Sequence, residues 1–358
     1  MKEKSAIRGR GAQINPHNRF LQHERLMYLD DLATQEEREA LVHHNPKTKF
    51  IEVHPKTIVN RIDSPDLGMA YSLNPYQGCE HGCVYCYARN SHEYWGYSAG
   101  ADFEQQILIK KNAPDLLRQF LQQKKHRAEM ILLSGNTDCY QPAERTFGIT
   151  RKLLEVFFHF RHPVGIITKN VLIERDVDIL KKLAADRLVA VTLSLTTLDE
   201  SMKRLLEPRT ASVRQVLRTV RSLTDAGIPV TVNFAPVIPG LNDHELFDVC
   251  RAVKDQGALG VNYIVVRLNG QLAAIFEDWI RHHFPERGNK ILNRIKSLHH
   301  GKLNDTEWGR RMKGEGEWAE LFRRQHALAM HRFFPNRQPV VLNTALYETY
   351  RDQQLKLF

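Results

Sequence analysis

Six short, nearly continuous apolar runs, separated by stretches of helical period, leave this chain few folds to adopt. The runs are Met69–Leu73, Met130–Leu133, Val164–Thr168, Leu188–Leu195, Val230–Phe234 and Val261–Val266. They are rich in Val, Ile and Leu and do not alternate with polar residues, the pattern of strands covered on both faces. Between them Ala113–Gln123, Thr150–Phe158, Val177–Leu183, Val213–Ala226 and Asp243–Gln256 carry helical spacing. Asn242 with Glu245 reads as a capping box, and Gly227 and Gly257 stand where helices stop.

A strand–helix repeat of this kind builds a parallel sheet with right-handed crossovers. A closed eightfold barrel needs two further units. Residues 269–358 do not supply them, since they read as helices (Ile275–Phe284, Glu286–Leu298, Glu317–Phe334) and a tail. The expected fold is therefore α/β: a partial (β/α)6 TIM-like barrel over residues 69–268. An irregular N-terminal arm (1–68) precedes it, with one helix about Gln35–His43, and a helical C-terminal extension (269–358) follows. A chain of 358 residues with 42% hydrophobic content can bury a core of that size. No apolar run is long enough to span a bilayer, and the first residues are polar and basic. Neither a membrane span nor a secretory leader is expected, and the cytoplasm is the expected compartment.

Three of the five cysteines fall within eight residues, in Asn74-Pro-Tyr-Gln-Gly-Cys79-Glu-His-Gly-Cys83-Val-Tyr-Cys86-Tyr87. An odd count in this setting argues for metal or redox chemistry over a disulfide framework. The C-x3-C-x2-C loop follows the first expected strand, and loops at the C-terminal ends of barrel strands build active sites. Three thiolates on one loop can ligate three irons of a [4Fe–4S] cluster and leave the fourth open for reaction. Gly78 and Gly82 let such a loop turn tightly. The competing reading is structural zinc, which wants four ligands and would have to recruit His81 or His92.

The motif, with Tyr85 just before its last cysteine, resembles the radical S-adenosylmethionine (SAM) superfamily. Ser134-Gly-Asn-Thr-Asp-Cys-Tyr-Gln-Pro-Ala-Glu144 and Asn233-Phe-Ala-Pro-Val-Ile-Pro-Gly-Leu-Asn242 bring it closer to the spore photoproduct lyase-like, "DNA repair photolyase" branch. The likeness spans about residues 69–268. It implies a [4Fe–4S] cluster on Cys79, Cys83 and Cys86, with SAM chelated at the open iron, and a 5′-deoxyadenosyl radical as the product of reductive cleavage. It also implies that Tyr85 offers its backbone to the adenine. The turn Ser134, Gly135, Asn136, Thr137 and Asp138 would meet the amino group and ribose. Lys169 would meet the carboxylate or ribose, Ser194 would stand beside the ribose, and the turn at Val237 would line the adenine. A flavodoxin- or ferredoxin-type electron donor follows as partner. Each polar residue ends an apolar strand, where ligand groups belong. Lys169 is also readable as an ordinary ion pair and Ser194 as bonded to a nearby carbonyl.

One departure matters. Spore photoproduct lyases carry a hydrogen-returning cysteine on the second strand just before this turn, where this chain has Ser134 and Gly135. Cys139, a few residues on, is the candidate hydrogen-atom donor, against a reading as a small buried hydrophobe. Cys250 lies on the apolar stripe of its helix and is expected to be core.

The net charge of +10 is concentrated at two places. Residues 1–26 carry six Lys or Arg against two acids, and residues 281–313 carry nine against three. The second stretch points to nucleic acid, with Arg287, Lys290 and Arg294 on one helix face and Trp308 and Trp318 as stacking platforms. A solvated basic surface is the bland alternative. Two functions thus compete: a radical SAM enzyme acting on an anionic substrate such as nucleic acid, and a non-catalytic nucleic-acid-binding protein with a structural metal site.

Overall fold

The computed structural model describes residues 9–20 and 47–355, so the helix expected about Gln35–His43 lies outside the described residues. The strands are β1 (Lys49–Glu52), β2 (Val59–Arg61), β3 (Tyr71–Leu73), β4 (Tyr76–Gln77), β5 (Gln106–Ile109), β6 (Ile131–Leu133), β7 (Val164–Thr168), β8 (Val189–Ser194), β9 (Val230–Val237) and β10 (Val261–Val265). The six expected strands are β3 and β6 to β10. They lie side by side, all parallel, in the order β10-β9-β8-β7-β6-β3, with β2 added antiparallel at the β3 edge. β6 and β7 are almost wholly buried, as runs covered on both faces require, while β8, β9 and β10 alternate buried with partly exposed residues. This is the partial TIM-like barrel.

Helices Ala113–Leu121, Ile149–His159, Val177–Ala185, Val213–Asp225 and Leu246–Asp255 cover the outer face. Gly227 and Gly257 follow the last two with positive φ (76° and 87°), so the stop signals act as read. The capping box does not form. Asn242 donates to the carbonyls of Thr196 and Pro236 and accepts from Ile238 N, while Glu245 accepts from Thr197 and Leu198. Both side chains tie the β8 and β9 loops together, and the helix starts later, at Leu246.

The N-terminal region is less irregular than expected. β1 pairs with β5, and β4 completes that small second sheet. Residues 9–20 run over the cysteine loop as an extended strap. The C-terminal extension forms helices Leu272–His283, Gly288–Leu298 and Glu317–Phe333, with a fourth, Ala345–Leu355, in the expected tail. The first two bury Ile275, Phe276, Trp279, Ile291 and Ile295 in one cluster with Cys83, Val84 and Tyr85. The extension therefore supports the cysteine loop from behind. No helix among the described residues is long and apolar enough to cross a membrane.

Candidate active site at the barrel mouth

Loops at the C-terminal ends of the parallel strands surround a cavity of about 400 Å3. Cys79, Cys83 and Cys86 all line it. Their loop is held rigidly by backbone geometry and buried charge. Gly82 has φ 70°, and a Cβ there would stand 2.9 Å from a Glu104 oxygen. Gln141 accepts from Glu80 N and donates to Gly78 O, each at 3.0 Å. Arg89, fully buried, donates to Cys83 O from two nitrogens and pairs with Glu104 at 2.5 Å. Glu104 in turn accepts from Gly11 N and Ala12 N. That contact seats the strap, and the fit is close: a Cβ on Gly11 would lie 1.8 Å from Gly82 O.

Of the other residues expected at the site, Tyr85, Ser134, Gly135, Asn136, Thr137, Asp138, Lys169 and Ser194 also line the cavity. Ser134 takes φ 76° and accepts from Cys139 N through its hydroxyl. Asn74 accepts from the backbone N–H of Asn136 and Thr137, which closes the turn over β3. Asp138 accepts from Thr168 Oγ1 and Lys169 N, joining the β6 and β7 loops.

Val237 and Cys139 are placed elsewhere. β9 runs three residues further than its apolar run suggests, so Val237 is a fully buried strand residue, and Ala235 and Pro236 line the cavity instead. Cys139 is fully buried behind the turn and is absent from the lining. Burial, reinforced by Asp138, pushes its thiol well up. It packs as a small hydrophobe, as does Cys250. Trp318 donates to Asp243 and stacks on Phe322 within the C-terminal layer, so it is no open platform.

Several groups were missed. Glu207, fully buried, accepts from Tyr85, Thr196 and Lys203, the last at 2.6 Å, and stands 3.3 Å from Lys169. Burial would raise its carboxyl, but Lys169 and Lys203 outweigh that and hold it well below the usual range. Burial likewise pulls the Lys169 ammonium down, and Glu207 and Cys83 more than restore it. Asn233, midway along β9, and Arg267, two residues past β10, face the cavity. Tyr87 lines it too and donates to Gly135 O. Arg267 obeys the same strand-end rule that pointed to Lys169 and Ser194, whereas Asn233 lies midway along its strand.

A parallel barrel whose mouth carries three thiols on its first loop is the setting of a metallocluster enzyme. The family model of the radical SAM superfamily matches residues 73–253, and the chain belongs to that superfamily. It is 31% identical over 253 residues to an uncharacterized protein of Mycobacterium tuberculosis, spanning 70% of this chain and 73% of that one. It is 28% identical over 250 residues to an uncharacterized protein of Methanocaldococcus jannaschii, spanning 70% and 89%. A solved structure of a spore photoproduct lyase mutant with bound AdoMet and dinucleoside spore photoproduct superposes with a TM-score of 0.61 at 14% identity, covering 89% of this chain and 88% of that one. At that identity the likeness is one of fold.

The chain is thus a radical SAM enzyme, and membership implies SAM and a [4Fe–4S] cluster. The donor set fits. Three thiols share one cavity, and the two remaining cysteines of the chain lie in the core. Among the described residues no three His, Cys, Asp or Glu side chains converge on a single-ion position. Zinc would also need a histidine. His92 is off the cavity, packed between Tyr97 and Phe103, while His81 lines the cavity and meets Asn170 and Asp138 with its two nitrogens. Burial lowers the His81 pKa, keeping the ring neutral. Membership of the radical SAM superfamily, and not these placements, favours the cluster over structural zinc.

Proposed function

We propose that the enzyme cleaves SAM reductively at a [4Fe–4S] cluster held by Cys79, Cys83 and Cys86 and directs the resulting radical at a nucleic-acid substrate. One observation carries this reading: three thiols and a set of polar strand-end groups face one cavity. Bound there, the cluster would supply the electron that splits the sulfonium and yields a 5′-deoxyadenosyl radical. The protein's share is binding, orientation and exclusion of water. The Ser134–Asp138 turn, Lys169, Ser194 and Asn233 surround the volume SAM would fill. Ser194 and Asn233 hold their side chains at the mouth without a hydrogen-bond partner among the described residues, which suits hydroxyl groups of a ribose. The strap and the Leu272–Leu298 helix pair close the back of the loop against water and oxygen. A flavodoxin- or ferredoxin-type protein is the proposed reductant.

The nucleic-acid substrate class is supported by the basic 281–313 segment, which reaches the cavity through Arg311 and Met312. Thymine-dimer repair is not part of the proposal, because no cysteine beyond the three cluster ligands faces the cavity. Anaerobically reconstituted protein is expected to contain iron and sulfide and to form 5′-deoxyadenosine with SAM and dithionite. Cys79→Ala, Cys83→Ala and Cys86→Ala should each lose both properties. Full SAM cleavage by any of the three would refute the assignment.

A further inference from the structure

Arg267 stands just beyond the end of β10, half-buried, and lines the cavity. Its guanidinium has no hydrogen bond and no ion pair among the described residues. Its one direct partner is the ring of Tyr87, whose centroid lies 5.8 Å away. Burying a cation without a counter-charge is costly unless something completes the site. The neighbouring arginine is spent differently. Arg311 is paired with Asp66 at 2.6 Å and Ser64 at 2.7 Å, and it lies 4.1 Å over the ring of Trp308. Asp66 accepts from Arg311 and from Gly309 N, and it acts on Arg267 only through space, without a hydrogen bond or an ion pair.

The position of this cation separates it from the SAM-facing groups. Lys169 follows β7 with its ammonium over the ring of Tyr85, whereas Arg267 follows β10, three strands away, over the ring of Tyr87. A cavity of about 400 Å3 is one small-ligand volume, so SAM occupies most of it and a substrate must extend over the rim. There Arg267 meets Tyr87, and Trp308 is 51% exposed beyond Arg311. A guanidinium over the face of Tyr87, with no hydrogen bond or ion pair among the described residues, suits a phosphate joined to a stackable base.

We propose that Arg267 is the substrate-phosphate anchor of this enzyme, gripping a nucleotide phosphate while the attached base enters the cavity beside Tyr87. The inference rests on the cavity being a radical SAM site, and its test is independent of turnover. The reconstituted, SAM-loaded protein is titrated anaerobically with a fluorescent single-stranded oligodeoxynucleotide, with thymidine monophosphate and with thymidine. Wild type should bind the two phosphate-bearing probes and not thymidine. Arg267→Gln should weaken phosphate-probe binding about 10- to 100-fold, the loss of one charge-assisted contact, and lower the salt slope by about 1. Arg267→Lys should keep part of the affinity, which separates loss of charge from loss of fold. SAM affinity should be retained in both variants. Tight binding of the oligonucleotide alone assigns the anchor to a strand, and equal binding of the monophosphate assigns it to a free nucleotide. Unchanged phosphate binding in Arg267→Gln, no phosphate binding by wild type, or loss of SAM binding instead would overturn the proposal. Absence of a cluster or of 5′-deoxyadenosine in wild type would instead sink the radical SAM reading of the cavity.

Discussion

Replacing Glu207 with Gln should be among the most damaging single changes in the barrel, although the residue touches no expected ligand. At an effective dielectric constant of about 20, charges at the Lys203 and Lys169 separations attract by roughly 6 and 5 kcal/mol. Those separations are 2.6 and 3.3 Å. Desolvation of three buried ions cancels much of this, at several kcal/mol each. What remains is seen on breaking the set. Lys203, 2% exposed, is left charged and without its carboxylate, and the expected cost is about 3–5 kcal/mol. Urea denaturation of cluster-free protein measures it. Adding Lys203→Met to Glu207→Gln should recover part of the loss, because an apolar side chain of similar length removes the stranded charge. A Glu207→Gln loss below about 1 kcal/mol would place the triad in the class of weak surface pairs and refute the reasoning.

The pH dependence follows from the sign of the shift. The folded Glu207 carboxyl lies below its ordinary value, so its stabilisation is complete above the unfolded pKa of about 4.3 and drains away as pH falls through the folded one. The gap between wild type and Glu207→Gln should be constant from neutral pH down to that point and narrow below it.

Two further predictions concern the strap over the cysteine loop and a histidine pair remote from the cavity. Gly11→Ala forces a Cβ into Gly82 O, so the strap should lift at a cost of about 1–3 kcal/mol and the reconstituted cluster should bleach faster in air. Equal bleaching rates would show that residues 9–20 do not shield it. His126 and His162 stack with their Nε2 atoms 2.9 Å apart against Tyr347, and burial lowers their pKa values to about 4 and about 3. Stability they hold as neutral rings is complete above about 6.5 and lost as pH falls toward the folded values. His162→Phe should flatten the urea midpoint across that window, and parallel profiles would exclude the pair as the origin.

The sheet was legible because burial on both faces writes itself as unbroken Val, Ile and Leu, and all six expected strands occur within a few residues of their runs. β1, β2, β4 and β5 were not, since they are two to four residues long and β1 finds its partner β5 more than fifty residues away. The strap was unreadable for a different reason. It is held by backbone N–H groups on Glu104 and by the close approach of two glycines, and neither leaves a periodic trace. Strand-end placement located most of the polar cavity lining, while Val237, expected in a turn from the resemblance, is the last residue of β9 because the strand outruns its apolar core. The Glu207 triad was missed because its i,i+4 spacing from Lys203 looks like any surface helix pair; only burial reveals its stake.

The basic segment shows where counting charge stops being informative. Of its nine cations, Arg310 is matched by Asp305, Arg311 by Asp66 and Arg281 by Glu277, and Lys313 donates to Tyr263 O. Arg287, Lys290 and Arg294 are exposed on the Gly288–Leu298 helix, and Arg294 lies over Gly240 in the loop leaving β9. None of those three lines the cavity. On the proposed function they would hold a long anion by its backbone, an interaction that salt weakens and that carries no selectivity for the reacting group. Arg267 lies outside the segment, contributes one charge, and is the half-buried cation at the cavity with no partner to answer it. Net charge therefore marks a surface and no site, whereas the phosphate anchor proposed above is a single half-buried guanidinium that composition cannot single out.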